Sequence, residues 1–332
     1  MIGKLPLEIL RKYLLAMTGA PSKKLMVAPA IGIDFGVVKL DRGYMIVSSD
    51  PVTGVEKRIG WYAVNVSAND VATSGNRPEF IQSVILLPEG ANERIMRTVS
   101  SEIHSSAKEL GITIVGGHTE LTPGLKRPIV ITTAFAFSGS YVTAANAREG
   151  DLVMMTKSAG VEGTAILGNR LMDSSSNEER ALGRATKKFS SLLSIVGEAE
   201  AAYSTGAVHA MHDCTEGGVL GAVYEMAYAS KRGFRILESR IPVAPETKEL
   251  CSRLHIDPLR LISSGTLLLA VKPGGEGRVG KRLAEIGVAS AVIGRFSGRK
   301  RISVRTDGSE TLIDEAGADE IWRILARGAR IS

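Results

Sequence analysis

Acidic residues in the first half of the chain have the types and settings of a divalent-cation site. Asn69-Asp70 lies in the middle of an otherwise apolar, small-residue segment that predicts a helix ending near Gly75. An ionised Asp on such a helix loses hydration that an apolar core cannot replace, unless it is paired or bound to a cation. A solvated Asp on the outer face is the plain alternative, and for a lone acid it is the better interpretation.

Two further acids favour the cation interpretation. Asp34 lies in a glycine-flanked loop before a strand-like run, and Asp50 ends a β-patterned run. Carboxylate oxygens are the hard ligands that Mg²⁺ prefers. The sequence therefore predicts that Asp34, Asp50 and Asp70 hold Mg²⁺, directly or through water, with Asn69 as a neutral oxygen ligand or phosphate contact.

A glycine-containing stretch, Gly116-Gly117-His118-Thr119-Glu120, follows a short apolar run that predicts a buried strand. The stretch itself predicts a turn. Glycines let backbone N–H groups approach an anion closely, and a hydroxyl or carboxylate nearby can hold the accompanying Mg²⁺. We expect Gly116, Gly117 and Thr119 to cradle phosphate. His118 could touch phosphate or nucleotide and Glu120 could supply charge, but it is equally open that both only order the turn.

The second half carries two more polar stretches. One runs from His212 through Asp213, Thr215 and Glu216 into Gly217-Gly218. Thr215 suits a helix N-cap, and the two glycines leave the helix start open to an anion; simple capping by Thr215 and Glu216 is about equally open.

The other stretch, Lys157 with residues 160–164, is a second candidate phosphate or substrate loop. An exposed surface lysine is the stronger default for Lys157.

The elements that must position these residues follow from apolar patterning and from glycine and proline signals. Strands are predicted at 44–49, 80–87, 112–115 and 129–137 in the first half, and at 152–156, 207–211, 266–271 and 291–296 in the second. Helices are predicted at 60–74, 92–110, 192–203, 217–230, 247–254 and 278–286. A polar, glycine-bearing segment near 145–151 separates the halves, which predicts domains at 1–145 and 146–332.

Composition bounds the class of protein. A chain of 332 residues with 44% hydrophobic content can form two sizeable cores. The net charge of +6 is shared equally by the two halves, and aromatic residues are only 5% of the chain, which argues against a nucleic-acid partner. No apolar run approaches the ~20 residues that span a bilayer, and the start lacks a signal-peptide pattern, so we expect a cytoplasmic protein without a membrane partner.

The two cysteines, Cys214 and Cys251, have no CxxC spacing. They do not make a disulfide framework or a zinc site, and small buried core residues are expected. A redox or nucleophilic role for Cys214 stays open, because it lies inside a candidate site.

Taken together, these segments resemble the PurM-like superfamily of aminoimidazole ribonucleotide (AIR) synthetase. That superfamily includes the HypE-type hydrogenase maturation proteins, thiamine monophosphate kinase, selenophosphate synthetase and formylglycinamidine synthase. Asp34, Asp50 and Asn69-Asp70 fall on its acidic motifs, and Gly116-Gly117 falls on its glycine-rich turn. Residues 213–220 resemble the HypE-type Asp-x-Thr-x-Gly-Gly-Leu signature, and residues 256–259 with Ser264-Gly265 resemble a later one.

The resemblance implies an α/β (α+β) fold of two domains: an N-terminal ATP- and Mg²⁺-binding domain whose mixed sheet forms a barrel in a homodimer, and a C-terminal α+β domain that closes the cleft. It implies an ATP- and Mg²⁺-dependent enzyme that phosphorylates an amide- or carbonyl-like oxygen. The second substrate is an unidentified small molecule or protein-borne group. Asp213, Thr215 and Glu216 would be catalytic. The nucleotide-binding residues would be Asn69, Gly116, Gly117, His118, Thr119, Glu120, Gly217 and Gly218.

The departures from the family pattern support an alternative. Ile33 replaces the first Asp of a Gly-Asp-Asp loop, and His118 replaces an acid in the glycine-rich turn. The printed sequence ends at residues 327–332 without the C-terminal Cys that HypE-type proteins carry and convert to a thiocyanate. We expect that such a chain does not perform this chemistry on its own tail. The alternative is a catalytically idle nucleotide-binding relative that acts as a maturation or assembly partner.

Overall fold

The structure is a computed structural model that describes residues 5, 7–53, 55 and 57–326. The tail that lacks the family's Cys lies outside the described residues. The described chain forms two compact units. The first unit comprises residues 22–28 and 34–141, and the second comprises the described residues within 1–21, 29–33 and 142–332. The predicted division after residue 145 lies four residues beyond the end of the first unit, and the N-terminal segment groups with the second unit.

The secondary structure is as follows. The strands are β1 (Leu25–Val27), β2 (Gly36–Lys39), β3 (Tyr44–Val52), β4 (Phe80–Pro88), β5 (Thr113–Thr122), β6 (Ile129–Ser138), β7 (Leu152–Thr156), β8 (Val208–Asp213), β9 (Phe234–Leu237), β10 (Leu267–Val271), β11 (Ser290–Phe296), β12 (Arg301–Val304) and β13 (Glu310–Leu312). The helices are α1 (Leu7–Ile9), α2 (Ile59–Ala72), α3 (Glu93–Leu110), α4 (Val161–Leu171), α5 (Asn177–Ala185), α6 (Val196–Tyr203), α7 (Gly218–Ala229), α8 (Pro245–Leu254), α9 (Glu276–Glu285) and α10 (Glu320–Ala326).

The first unit is a six-stranded mixed sheet in the order β1-β2-β3-β6-β4-β5. All its pairs are antiparallel except β4–β5. Helix α2 is buried along nearly its whole length, and α3 packs beside it. The side chain of Asn92 accepts a hydrogen bond from the N–H of Ile95 at the start of α3, and Gly111 ends that helix in the left-handed conformation. The four strands and two helices predicted for this half are confirmed, with shifted ends.

The stretch predicted as a phosphate-binding turn, Gly116–Glu120, is instead part of β5. The parallel pairing with β4 runs through it, with Ser83 opposite Gly117 and a bulge that lets Gly116 follow Ile114 in register. A Cβ built on Gly117 would lie 1.9 Å from the carbonyl oxygen of Ser83. Gly117 therefore permits close approach of the neighbouring strand β4, a use of glycine that the sequence pattern alone does not distinguish from a turn.

The second unit is a seven-stranded sheet in the order β13-β12-β9-β11-β7-β10-β8. Its strands pair antiparallel except β9 with β12. The core includes the fully buried side chains of Met155, Met211, Phe234 and Phe296. The interior strand β10, next to the edge strand β8, is buried at every position, as expected for a strand covered on both faces.

Two predictions in this half are corrected. Residues 160–164, predicted as a loop, form the start of α4, because Gly160 takes the left-handed conformation and the helix begins at the next residue. The helix predicted at 192–203 begins only at Val196, after a 3₁₀ segment. The other predicted strands and helices of the second half are confirmed to within a few residues at their ends.

Candidate functional site

Two of the predicted cation ligands in the first unit meet at a serine. The hydroxyl of Ser48 lies 2.7 Å from Oδ2 of Asp70 and 2.9 Å from the backbone oxygen of Asp34. A hydroxyl has one proton, so Ser48 donates to one of these oxygens at a time. Asp70 is buried, and Asp34 is half-buried in the loop before β2. Sequence analysis missed Ser48, although it lies two residues before Asp50 on the same strand.

Asp50 lies on the face of β3 that helix α2 covers. Its partner across the antiparallel pair β3–β6 is Thr132, and directly opposed side chains share one face of a sheet. The hydroxyl of Thr132 donates to the backbone oxygen of Ala63 in α2. Asp50 itself is half-buried, and β3 continues past it to Val52 rather than ending there.

We call Asp34, Asp50 and Asp70 with Ser48 the aspartate group. Its donors are carboxylate, carbonyl and hydroxyl oxygens, which fits a hard divalent cation such as Mg²⁺. Asn69 is fully buried beside Asp70 in α2. The structure thus brings Asp34 and Asp70 together within the first unit and places Asp50 on the same side of the sheet.

The predicted phosphate contacts lie elsewhere in this unit. Strand β5 is the outer strand, and β6 and β4 separate it from β3. His118, Glu120 and Thr122 interact with one another on its exposed surface: the Thr122 hydroxyl donates to Glu120 (2.8 Å), and His118 Nε2 lies 3.2 Å from Glu120. These two contacts, that of Thr122 first, hold the pKa of Glu120 below its ordinary value. Within one chain, then, the glycines of β5 do not join the aspartate group.

In the second unit, Asp213 ends β8 and is buried, whereas Thr215 and Glu216 are half-buried in the loop before α7. Thr215 is not the helix N-cap, because Gly217 occupies that position in the left-handed conformation. The N–H of Gly217 donates to Asp319 Oδ2 (2.7 Å), and the indole N–H of Trp322 donates to Glu216 (3.1 Å). A carboxylate from the chain itself therefore meets the helix start that we expected to be open to an anion.

Glu162, near the start of α4, joins these acids. It is 7% exposed, and its Oε2 has no hydrogen-bond partner. Burial raises the pKa of Glu162 to about 7; a hydrogen bond from Ser264 opposes the rise, and the charges of Asp319, Glu216 and Asp213 add to it. Burial likewise raises the pKa of Asp319 to about 6. We call Glu162, Asp213, Glu216 and Asp319 the acid cluster.

Sequence analysis identified only half of the acid cluster. Glu162 lies in a stretch whose pattern predicts a loop, and Ser264 lies in a family signature, but the sequence gives neither residue a role. Asp319 follows in a segment with no recognisable motif. The available signal was a carboxylate flanked by glycine and apolar residues at Glu162, the same signal that identified Asp70.

Lys157, expected on the surface, is largely covered, with a side chain that is 13% exposed. Its ammonium group pairs with Glu198 and donates to the backbone oxygens of Leu192 (2.7 Å), Ser194 (2.8 Å) and Gly265 (2.8 Å). Burial lowers the pKa of Lys157 and raises that of Glu198, and each charge opposes the shift of the other. We call Lys157 with Glu198 the lysine anchor. One carboxylate and three backbone oxygens already surround the ammonium group, which favours a structural role for Lys157 over a phosphate contact.

Both cysteines are buried, and burial raises the pKa of the Cys251 thiol to about 12. This agrees with the expected role as small core residues. Across the described part of the chain, no helix has both the length and the apolar character that crossing a bilayer requires.

Comparisons with known proteins match two family models. Residues 32–137 match the AIR synthase related protein, N-terminal domain, and residues 148–307 match its C-terminal domain. The chain is 28% identical to a putative hydrogenase expression/formation protein of Methanocaldococcus jannaschii, over 80% of this chain and 78% of that protein. It is 28% identical to the carbamoyl dehydratase HypE of Escherichia coli, over 83% and 81%.

Solved structures give the same result. The crystal structure of E. coli HypE, a hydrogenase maturation protein, has a TM-score of 0.75 at 25% identity and covers 86% of this chain and 92% of its own. A hydrogenase maturation protein HypE in complex with ATP has a TM-score of 0.70 at 23% identity and covers 95% of both chains. These matches confirm the predicted resemblance and the PurM-like two-domain fold, and they support the expected ATP-dependent, AIR synthetase- and HypE-related class of enzyme.

Proposed function

Because the chain belongs to the AIR synthase related protein family, we propose that it is an ATP- and Mg²⁺-dependent enzyme that phosphorylates an amide- or carbonyl-like oxygen. The observation that carries the proposal is the contact of Ser48 with Asp34 and Asp70. The carboxylate of Asp70 is buried, and a bound cation would offset the cost of burying its charge. Mg²⁺ bound there supplies the positive charge that phosphoryl transfer from ATP requires.

The protein's own part in such a transfer is to bind, orient and exclude water. Asp34, Asp50 and Asp70 would hold Mg²⁺, and Asn69 would fix a ligand or a phosphate oxygen. The substrate oxygen bonds to the γ-phosphorus while the bond from that phosphorus to the β-phosphate oxygen breaks, so ADP leaves. The protein forms no covalent bond in this step.

The acids of the second unit suit the other substrate. Asp213 ends β8, and Thr215 and Glu216 lie in the loop between β8 and α7. The oxygens of all three can accept hydrogen bonds from N–H groups. An amide has such groups next to the oxygen that is to be activated. We therefore favour an amide over a plain carbonyl as the substrate group.

The activated group is expected on another molecule. The relatives named carbamoyl dehydratase remove water from a carbamoyl group. In this chain both thiols, Cys214 and Cys251, are buried and cannot carry such a group to the surface. A small molecule or a group borne by a partner protein fits better, and one structural neighbour is indeed a HypE–HypF complex.

A homodimer is part of the proposal. Strand β5 is a ten-residue outer strand with little buried surface, and it exposes Ile114, Val115 and Leu121. Long exposed strand edges invite pairing with another chain, and monomeric proteins protect them. A second copy pairing at this edge would cover the apolar side chains and bring Gly116–Glu120 into an interface, where phosphate contacts would become possible.

The first test is calorimetric titration with Mg-ATP, followed by phosphate release and sedimentation of the same samples. Wild type should bind, sediment at twice the chain mass and release phosphate when a suitable amide is present. Asp70→Asn should lose at least about tenfold in affinity, because a cation ligand is worth more than ~1.4 kcal/mol. Asp41→Asn, an exposed acid of the same unit, is the matched control and should bind as wild type does.

The outcomes separate the enzyme from the idle relative. No Mg-ATP binding by wild type contradicts the proposal. Equal binding by wild type and Asp70→Asn contradicts the assignment of the aspartate group. Tight binding without phosphate release, across a panel of amides and carbamoyl compounds, favours the alternative that this chain is an assembly partner.

A further inference from the structure

The outer end of the seven-stranded sheet, formed by β11, β9, β12 and β13, is covered on one face and accessible to solvent on the other. Phe234, Ile236 and Phe296 belong to the same core cluster as the buried residues of α7. Successive side chains of a strand point to opposite faces, so the residues between these three lie on the other face. Solvent reaches that face, where Arg235 and Arg295 are exposed.

The strand register aligns the accessible residues in one row across the four strands. Arg295 of β11 lies opposite Arg235 of β9. Ile302 of β12 lies between Arg235 and Leu312 of β13. Leu312 is 59% exposed, and Ile302 is half-buried. The row therefore begins with two charged side chains and ends with two apolar ones.

A second, parallel row extends this surface. Val304 of β12 lies between Leu237 of β9 and Glu310 of β13. Leu237 and Val304 are half-buried, and Glu310 is exposed. We call the residues of the two rows the arginine face: Arg235, Leu237, Arg295, Ile302, Val304, Glu310 and Leu312.

The charges of the arginine face are not balanced within the chain. Arg235 and Arg295 face each other across β9 and β11, and directly opposed like charges destabilise an antiparallel pair. Arg235 Nη1 lies 2.6 Å from Glu310 Oε1, and both side chains remain about half exposed, at 48% and 50%. Within the described part of the chain, Arg295 forms no ion pair. The face therefore offers a positive charge that an acid from another molecule can pair with.

We propose that the arginine face is a docking surface for an acidic amphipathic helix of a partner protein. Arginine pairs with carboxylates through two parallel hydrogen bonds, which suits acids on the partner. Four neighbouring strands span about 14 Å, at ~4.8 Å per interval, and about three turns of helix have the same length. A helix with acids in its first turn, over β11 and β9, would place apolar residues of its later turns over β12 and β13.

Other occupants match the arginine face less well. A two-fold interface would bring the same surface of two copies together, and this surface carries two arginines for one glutamate. Single-stranded nucleic acids stack on aromatic side chains, and the arginine face has none. An anionic membrane requires apolar side chains that insert into it, whereas three of the four here are half-buried in the sheet.

The inference goes beyond the proposed function and does not depend on it, because neither ATP nor turnover enters its test. The first measurement is the fluorescence anisotropy of two labelled peptides, each about 14 residues long, on addition of the full chain. The acidic peptide carries glutamates in its first turn and leucines at helical spacing, and the basic peptide carries lysines in place of the glutamates.

Wild type should bind the acidic peptide at least about tenfold more tightly than the basic one. The affinity should fall as the salt concentration rises, because the arginines are exposed. No binding of the acidic peptide at ~1 mM, or equal binding of both peptides, overturns the inference.

Charge reversal tests whether the peptide binds at this face. Arg235→Glu combined with Arg295→Glu should lose at least about tenfold in affinity for the acidic peptide and should bind the basic peptide instead. Arg94→Glu combined with Arg97→Glu, on the exposed surface of α3, changes the net charge equally and should bind as wild type does. Equal losses in both double variants overturn the inference, because net charge alone would then explain the binding.

Two single variants are expected to act in opposite directions. Glu310→Gln removes the acid that competes for Arg235, so the acidic peptide should bind about two- to fivefold more tightly. Leu312→Ser removes the most exposed apolar side chain of the face and should weaken binding by at least about threefold. Weaker binding by Glu310→Gln, or unchanged binding by Leu312→Ser, contradicts docking at the arginine face.

Three further measurements test the other occupants. Vesicles with anionic headgroups and single-stranded RNA should each bind wild type no more tightly than they bind the Arg235→Glu, Arg295→Glu variant. If either probe binds wild type more tightly than the acidic peptide does, and this variant loses that binding, the inference is overturned in favour of that class of partner. Sedimentation should give wild type and the variant the same mass; a smaller mass for the variant would show that the face joins two copies instead.

Discussion

The second unit contains two buried glutamates whose charged neighbours differ. Glu198 and Glu162 are both more than 90% buried, both have a pKa raised by burial, and each has one oxygen without a hydrogen-bond partner. In the lysine anchor, however, Glu198 has an ammonium group beside it, whereas Glu162 in the acid cluster has only acids. The number of hydrogen bonds does not separate the two; the sign of the neighbouring charges does.

This difference in neighbouring charge indicates different roles for the lysine anchor and the acid cluster. Lys157 ties a strand end to three backbone oxygens and one carboxylate, and such an arrangement fixes one geometry of the surrounding loops. The acid cluster also accepts hydrogen bonds, from the Gly217 N–H and the Trp322 indole. It nevertheless places like charges close together in a buried setting, which makes folding less favourable at neutral pH. A costly feature at a candidate site is better explained by chemistry than by stability.

The largest expected effect comes from removing the cation of the lysine anchor. Lys157→Met keeps the aliphatic length but leaves Glu198 buried without a counter-charge, so the free energy of unfolding should fall by about 3–5 kcal/mol at pH 7.5. At pH 5 the loss should be smaller, because a protonated Glu198 needs no cation. Urea unfolding at the two pH values measures this, with Lys281→Met on the exposed surface of α9 as the control. Equal losses of unfolding free energy at both pH values would show that the unpaired charge of Glu198 does not cause the destabilisation.

The next effect concerns how the acid cluster makes the free energy of unfolding depend on pH. A carboxyl whose pKa is raised by folding, from 4.5 to about 7 in Glu162, holds its proton more tightly in the folded state. Its contribution to stability is therefore full below pH 4.5 and is lost as pH rises to about 7. At ~1.4 kcal/mol per pH unit, this is about 3 kcal/mol.

Glu162→Gln removes the titrating group while keeping its shape. Its free energy of unfolding should fall less than that of wild type between pH 4.5 and pH 7.5, by up to about 3 kcal/mol. Denaturant titrations at four pH values measure the two curves, and the control Glu285→Gln, on the exposed part of α9, should follow wild type. Parallel curves for wild type and Glu162→Gln would mean that the two buried glutamates do not differ as described.

The same contrast shows how far sequence reasoning reached. Asp213, Thr215 and Glu216 are contiguous, so a motif found them, and Asp70 stood out because a carboxylate on an apolar helix needs a reason. Glu162 and Asp319 lie about 50 and 100 residues from Asp213 along the chain. Only the packing of the start of α4 near the loops before α7 and α10 brings their charges together, and a single sequence does not contain that information.

Two errors have physical causes. Gly116 and Gly117 predict a turn because glycine favours turns. In the structure, Gly117 instead lets the backbone of Ser83 in β4 lie close to β5. Lys157 was placed on the surface because most lysines are solvated, but a strand end with three free carbonyls nearby can replace water around an ammonium group. In both cases a long-range contact in the fold overrides the most common role of that residue type.

The smallest effect tests the hydroxyl beside each glutamate. Ser264 bonds to Glu162 and Thr156 bonds to Glu198, and each hydroxyl favours the charged carboxylate. At pH 8, Ser264→Ala should lower the free energy of unfolding by about 1.5–3 kcal/mol, as for a hydrogen bond to a charged group. At pH 5 the loss should be only about 0.5–1.5 kcal/mol, because Glu162 is then neutral.

Thr156→Val also removes the acceptor of the Leu267 N–H and should lower the free energy of unfolding by about 1–3 kcal/mol. That cost should depend less on pH than the cost at Ser264, since Lys157 opposes the rise in the pKa of Glu198 that burial causes. Urea titrations of both variants measure the four losses, and a pH-dependent cost at Thr156 rather than at Ser264 would reverse the distinction between the two sites.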